Sequence, residues 1–350
     1  MVDLLMTSEQ RQIVDSVVSF LAENLPVGRL RPSAGSRQEA QAMPEMASLG
    51  WFMIGLDEKF GGLGMSITEE VLIFREFGRY LLGPSSIATV LGMRVAAEAG
   101  NASLLQKLLE GRVHVALANS VGEVSIKDAV SGPFQIFDGS GADLILVIGE
   151  AGQAALLERC AVSEISSRRS SVDGLTLELA KCNAVPSLAY VGEGSTLYMR
   201  LSLLAAAMLS GMCEATRDLS TEYAKFRVQF GKPIGSFQAI KHKCSDMALR
   251  ADAATNLVNF AAVTLTAGQK DAAYLSTAAK LLTARYALLS AKETIQVHGG
   301  IGFTVECDAH HFLKRAHLYD LIGGGSFRQQ QLLLADALPE VELPGTEFAA

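Results

Sequence analysis

Two stretches of the sequence carry residue types at spacings that suit the binding of an anion. The first, Arg227-Val228-Gln229-Phe230-Gly231-Lys232-Pro233-Ile234, runs through Phe237-Gln238 into a helical pattern containing Lys243, Asp246 and Met247. A guanidinium offers a planar fork of N–H donors that matches a phosphate or carboxylate edge. Read locally, the string is a helix end. Gly231 and Pro233 stop the preceding helix, Phe230 anchors the turn among apolar residues, and Arg227 sits in the last turn, where a cation suits the helix dipole. The second stretch, Gln296-Val297-His298-Gly299-Gly300-Ile301-Gly302-Phe303-Thr304, closes a helix with glycines that permit positive φ and bring backbone N–H groups close to a ligand. It is not a spaced G-x-G-x-x-G following a strand, and a glycine-rich helix stop accounts for it equally well.

Other reactive side chains form weaker patterns. Glu306 and His310 have the i, i+4 spacing of a metal pair on a helix, but two ligands without a third favour a hydrogen-bonded pair, and no metal centre is expected. The six histidines lack a Ser/His/Asp arrangement for acyl transfer. Five cysteines, with no C-x-x-C among them, read as reduced structural thiols. A net charge of −7 and a pI near 5.5 give no basic footprint for nucleic acid. Met1 to Glu9 has neither the basic region nor the apolar core of a secretory signal, and the apolar run Leu201–Cys213 is too short to span a bilayer. A cytoplasmic protein with a buried helix there is expected.

The elements that must position these residues follow from hydrophobic periodicity. With 350 residues, 49% of them hydrophobic, and a mean hydropathy of +0.26, the chain can bury a large core. Thr7, with Glu9 and Gln10 in the first turn, caps a helix bearing Ile13, Val17, Val18, Phe20 and Leu21. Further helices are predicted around Arg37–Leu49, Ile67–Tyr80, Ser86–Ala99 and Ala102–Glu110. Short β-like runs follow at Val113–Ala118, Leu144–Ile148 and Leu175–Leu179, and helical periodicity resumes near Thr196 and lasts to Ala337. There, Leu201, Leu204, Ala205, Met208, Met212, Ala215 and Leu219 form one apolar face, and Phe237, Ile240, Cys244, Met247 and Ala248 another. The expected organisation is a helical domain over residues 1–112, a small β domain over 113–193, a helical bundle over 194–338 and an irregular tail over 339–350.

Together the two strings resemble the acyl-CoA dehydrogenase family, whose C-terminal domain carries R-x-x-F-G-x-P-I-x-x-F-Q and then Q-x-x-G-G-x-G. Leu49-Gly50-Trp51 and Phe60-Gly61-Gly62-Leu63-Gly64 are similar to the family's G-W and Y-G-G-x-G elements, so the resemblance covers nearly the whole chain. It implies an α+β fold: an N-terminal α-helical domain, a middle β domain and a C-terminal four-helix bundle. It also implies that Arg227, Phe230, Gln238, Gln296, Gly299 and Gly300 hold the pyrophosphate and adenosine of an FAD seated mainly in the neighbouring subunit.

The chain departs from that family where the reaction takes place. The family removes the α-proton of an acyl-CoA with a glutamate while a hydride passes to the flavin, and a weakly acidic thioester needs a positioned carboxylate. The usual I-Y-E-G-T aligns with Ile322-Gly323-Gly324-Gly325-Ser326, placing Gly324 at the base position. The family's other glutamate position aligns with Met199. Arg200 beside it faces the acyl-CoA or caps the helix start. The flavin-lining T-E-P-x-x-G-S-D is replaced by Ala118-Asn119-Ser120-Val121-Gly122-Glu123, and the chain's one tryptophan is Trp51. Glu193, Glu214 and Glu222 are the other acids weighed as a relocated base, with a solvated surface role as their default.

Three functions remain open at this level. The favoured one is a non-catalytic subunit that pairs with a complete acyl-CoA dehydrogenase chain and completes its FAD site. The string Gly302–His310 is similar to the G-F-T-x-E-x-D-A-H of heteromeric α2β2 enzymes of bacterial steroid side-chain degradation, which implies a steroid or other bulky acyl-CoA substrate. An electron-transferring flavoprotein is the acceptor implied by the resemblance. The alternatives are an active homomeric dehydrogenase with a relocated base, and a flavin-free scaffold or acyl-CoA-binding protein.

Overall fold

Thr7 opens the first helix, α1 (Ser8–Asn24), with a reciprocal cap. Its hydroxyl accepts the Gln10 N–H at 3.2 Å, and its own N–H donates to the Gln10 side chain at 3.0 Å. The computed structural model describes residues 5–31, 39–162 and 164–335, with backbone alone at 164 and 166–172. The start of the predicted 37–49 helix and the predicted tail at 339–350 lie outside the described residues. Four more helices follow: α2 (Glu39–Ser48), α3 (Ile67–Arg79), α4 (Ser85–Glu98) and α5 (Ala102–Leu109). Trp51 is a core residue, edge-on to Phe20 at 5.2 Å.

The middle region forms seven strands, β1 (Val115–Ser120), β2 (Ser125–Ile126), β3 (Ala129–Phe137), β4 (Leu144–Ile148), β5 (Ala154–Glu158), β6 (Glu164–Val172) and β7 (Leu175–Val191). The run predicted at Leu175–Leu179 thus continues as a 17-residue strand. Its length lets it pair with β6 over Leu175–Lys181, with β3 over Leu177–Pro186 and with β5 over Ser187–Val191, and because β3 also pairs with β1, five strands close into a ring. Closure removes the exposed edges that short strands would otherwise present. Ala116, Phe134, Val147 and Leu157 fill one side of the sheet, while Leu117, Phe137, Leu146 and Leu156 on the other face join the core shared with the helices.

The C-terminal helices are α6 (Leu197–Phe226), α7 (Gln238–Thr266), α8 (Ala272–His298), α9 (Ala309–Leu321) and α10 (Gly325–Ala335), with a two-residue hairpin, β8 (Val228–Gln229) and β9 (Lys232–Pro233), between α6 and α7. From Leu201 to Cys213 every residue of α6 is buried, so this stretch is enclosed on all sides rather than along a single stripe. Of the predicted apolar face of α7 only Met247 is buried; Phe237, Ile240, Cys244 and Ala248 remain part-exposed.

Helices α3 and α6 meet backbone to backbone at two glycines. A Cβ at Gly78 would lie 2.0 Å from the Met208 carbonyl oxygen, and one at Gly211 would lie 1.9 Å from that of Arg75. Charged groups flank the crossing. Glu70, buried in α3, takes Arg94 at 2.6 Å and Arg200 at 2.9 Å, and Arg79 takes Glu214 at 2.9 Å and Asp218 at 3.0 Å. Removing one partner from such a group strands a buried charge, which costs several kcal/mol.

Gly211→Ala is therefore expected to destabilise the chain by about 1–3 kcal/mol through overpacking, despite a gain in helix propensity of about 1 kcal/mol. Gly92→Ala, in α4, would meet nothing nearer than Leu156 Cδ2 at 3.5 Å and is expected to be neutral or stabilising by up to about 1 kcal/mol. Urea unfolding midpoints of the two variants check the pair.

Candidate functional site

The Arg227 string has a different local structure from the expected helix stop. Helix α6 already ends at Phe226, and Arg227 is its extended C-cap residue, its carbonyl accepting the Ile234 N–H at 2.8 Å. Phe230 and Gly231 form the tip of the β8–β9 hairpin with φ of +51° and +80°. Glycine takes such a conformation freely, whereas phenylalanine does so at a cost. Phe230 does not anchor the turn among apolar residues: it is 91% exposed, with Phe237 at 6.1 Å as its ring neighbour.

The Gln296 string ends α8 as expected, with Gly299 at φ +67° leading into a 3-10 turn over Gly299–Phe303. His298 stacks on Tyr223 of α6 at 4.2 Å and pairs through Nδ1 with the Thr294 carbonyl oxygen at 2.8 Å, and burial holds its pKa below the usual imidazole value. This contact brings the C-terminal ends of α6 and α8 together, and α7 starts beside them. Arg227, Gln238 and Gln296 are thus gathered at one end of the bundle, all three exposed and, among the described residues, without a side-chain hydrogen bond or ion pair. A Cβ at Gly299 or Gly300 would meet nothing within 4 Å. Phe226, Phe230 and Phe303 are exposed at the same end, and an open hollow of about 410 Å³ beside it is lined by Lys225, Lys241, Ile240 and Cys244. A free guanidinium, two amides and open backbone suit a diphosphate delivered from outside this chain.

Gly324, which aligns with the family's base position, lies at a second place, a cavity of about 630 Å³ between the β1–β2 turn, the β4–β5 turn and residues Gly323 and Gly324. Gly323, Gly324 and Gly325 have φ of +75°, +99° and +75°, and a Cβ at Gly324 would press on Arg328 Cβ and Cγ at 3.0 Å. The backbone itself has taken a course that a glutamate would not follow. Three side chains fix it. Asn119 donates to the Leu321 carbonyl at 2.6 Å and accepts the Gly323 N–H at 3.2 Å; the Tyr198 hydroxyl donates to the Gly323 carbonyl at 2.8 Å; and Gln329 donates to that same carbonyl at 2.5 Å. Burial pushes the Tyr198 phenol up to about 12, so it stays a donor at neutral pH. Lys280, fully buried in α8 and brought down to about 8 by that burial, donates to the Asp320 carbonyl at the end of α9 at 3.0 Å.

Glu123 and Glu150 are the carboxylates lining this cavity. Glu150 is clamped by Arg328 through two contacts, at 2.6 and 2.5 Å. The three acids weighed from sequence lie elsewhere. Glu193 is exposed in the turn before α6, Glu214 is bound to Arg79 and Thr255, and Glu222 pairs with Lys225 at 2.6 Å. Met199 packs against the core, and Arg200 pairs with Glu70 at 2.9 Å and reaches the hydroxyl of Thr196, the N-cap residue of α6, at 3.4 Å. Glu306 is not on a helix with His310: α9 begins at Ala309, and His310 lies instead beside His311 and Asp173. Sequence spacing gave no sign of the Asn119, Tyr198 and Gln329 clasp or of the Arg328–Glu150 pair, because each joins residues brought together only by the fold. Asn119 alone stood inside a string already recognised as divergent.

Two family models match. One is described as acyl-CoA dehydrogenase, N-terminal domain, over residues 7–114, and the other as acyl-CoA dehydrogenase, C-terminal domain, over residues 194–338. The chain belongs to the acyl-CoA dehydrogenase family, and its helical, β and helical regions form that family's fold. Acyl-CoA dehydrogenase IpdE2 of Mycobacterium tuberculosis is 29% identical over 320 residues, covering 88% of this chain and 91% of that protein. Acyl-CoA dehydrogenase FadE34 of the same organism is 32% identical over 290 residues, which cover 81% of this chain but only 40% of that protein's length. Among solved structures, the ChsE4–ChsE5 complex from M. tuberculosis superposes with a TM-score of 0.80 at 19% identity, over 96% of this chain and 100% of the matched chain. Among the described residues no helix is long and apolar enough to cross a membrane.

Restoring the missing acid does not fit the observed backbone. Gly324→Glu is expected to lower unfolding free energy by about 1–3 kcal/mol, because a side chain must be accommodated at positive φ against Arg328. It is also expected to yield no dehydrogenase turnover in the isolated chain. Chemical denaturation and an acyl-CoA-dependent dye-reduction assay check both outcomes.

Proposed function

We propose that this chain is the non-catalytic subunit of an FAD-dependent acyl-CoA dehydrogenase, pairing with a complete chain of the same family and completing that partner's FAD site. The observation that carries this reading is the unequal fate of the two places just described. At the bundle end, Arg227, Gln238, Gln296 and the open backbone at Gly299 and Gly300 are all present and unengaged. At the Gly324 turn, three side chains hold the glycines, and Glu150, one of the two carboxylates lining the cavity, is tied to Arg328. Polar groups left unpaired beside exposed aromatic side chains are the composition of a surface completed by another molecule.

In this assembly FAD, when bound, would supply the hydride acceptor, and Arg227, Phe230, Gln238, Gln296, Gly299 and Gly300 of this chain would hold its nucleotide part. This chain's Arg227 neutralises the diphosphate, and Gln238 and Gln296 orient the adenosine side. Gly299 and Gly300 let the backbone approach, and Phe230 covers the nucleotide from the hairpin tip. The carboxylate for proton removal would come from the partner, with an electron-transferring flavoprotein as the acceptor that the family resemblance implies. The similarity of Gly302–His310 to steroid side-chain enzymes supports a steroid or other bulky acyl-CoA as substrate. Several relatives are acyl-CoA dehydrogenases by name, and the ChsE4–ChsE5 structure is a complex of two different chains, which supports a heteromeric setting.

Arg227→Ala tests the role across the interface. In a complex co-purified with an acyl-CoA dehydrogenase encoded beside this chain, loss of one charge-assisted contact of about 1.5–3 kcal/mol should weaken FAD retention at least tenfold while the complex stays assembled. Unchanged flavin content would contradict the trans-binding role and favour a flavin-free scaffold. Substrate-dependent flavin reduction by the chain alone would contradict its non-catalytic status and point to a relocated base.

A further inference from the structure

The turn between β6 and β7 is made by Asp173 and Gly174, with φ of +51° and +84°. Aspartate is one of the few residues with a side chain that tolerates this left-handed conformation. The carboxylate is directed at α9, where His310 and His311 are adjacent with ring centroids 4.1 Å apart. One ligand atom from each of Asp173, His310 and His311 lies within 4.8 Å of the others. The Asp173 and His311 side chains are only 3% and 2% exposed.

The hydrogen bonding of this cluster is incomplete. Asp173 Oδ2, His310 Nδ1 and both ring nitrogens of His311 are buried without a hydrogen-bond partner. His311 Nδ1 is 2.8 Å from Asp173 Oδ1, but out of line for an N–H···O bond. The ammonium of Lys314 occupies Oδ1 at 2.9 Å and leaves Oδ2 free. Buried polar atoms in native proteins are almost always satisfied, so a concentration of four in one place calls for an absent partner. Two imidazoles and one carboxylate are the donor set of a divalent first-row transition metal.

We propose that Asp173, His310 and His311 form a metal site, zinc by its ligand set, that clips the β6–β7 hairpin to α9. Tetrahedral zinc with bonds of about 2.0–2.2 Å puts its ligand atoms about 3.3 Å apart, so the three side chains close in by roughly an ångström or more on binding. A water supplies the fourth ligand on the part-exposed side of His310. Lys314, 39% exposed on a flexible stem, either stays on Oδ1 as an outer partner or swings into solvent as the cation enters. The clip would fix α9, whose C-terminal end leads directly into the glycine turn at 323–325. The proposal is independent of any flavin role.

The test uses the untagged full chain, stripped with chelator and titrated with Zn²⁺ by calorimetry, with metal counted by mass spectrometry and Co²⁺ as the optical probe. The expected result is one Zn²⁺ per chain at micromolar concentration, a visible Co²⁺ ligand-field band, and a thermal midpoint raised by Zn²⁺. Asp173→Asn and the milder His310→Gln should each weaken binding at least tenfold and abolish the midpoint shift, while Glu306→Gln leaves both unchanged. Circular dichroism verifies that each variant is folded. Absence of saturable binding at micromolar Zn²⁺ overturns the proposal, as does stoichiometric binding that persists in folded His310→Gln. The Co²⁺ band of the unmutated chain decides whether histidine nitrogen ligates even where a variant does not fold.

Discussion

The backbone-to-backbone crossing of α3 and α6 is the constraint on which the rest of the molecule depends. Two glycines, Gly78 and Gly211, let the helices meet with carbonyl oxygens where side chains would otherwise stand. That contact joins the N-terminal helices to the bundle, and it fixes the height at which Tyr198, early in α6, reaches the Gly323 carbonyl. It also determines which charges are buried. Glu70 and Glu214 point into the seam and must be met there by Arg94, Arg200 and Arg79. Arg200 is drawn into this packing through its ion pair with Glu70.

Much of the architecture was legible in the sequence because it follows from local periodicity. The Thr7 cap and the change from a period of 3.6 to short β runs and back are written into neighbouring residues. Strand β7 was underestimated because its extension beyond Leu179 is made by pairing with β3 and β5, which periodicity does not record. The bundle-end residues could be read from a motif, but their condition could not. That Phe230 is exposed at a hairpin tip, rather than packed in the turn, depends on two positive φ values that a helix-stop reading does not anticipate. Long-range groups such as Asn119 with Gly323, or Asp173 with His311, carry no local signal.

The missing base takes on a more specific meaning in this setting. Three consecutive left-handed glycines stand at the position that aligns with the family's base, and an amide, a phenol and a second amide hold the turn. At the opposite end of the bundle, an arginine and two glutamines are exposed and make no side-chain hydrogen bond or ion pair among the described residues, beside a pair of unobstructed glycines. The two ends together support the proposed division of labour, in which this chain would lend binding groups to a site whose chemistry resides in another.

Counting flavins in the assembled heteromer by native mass spectrometry tests that division most directly. If this chain completes its partner's site but cannot seat a flavin ring of its own, an assembly of two such chains with two partners will carry two FAD molecules. Four FAD molecules in that assembly, or FAD bound stoichiometrically to this chain as a homomer, would contradict it.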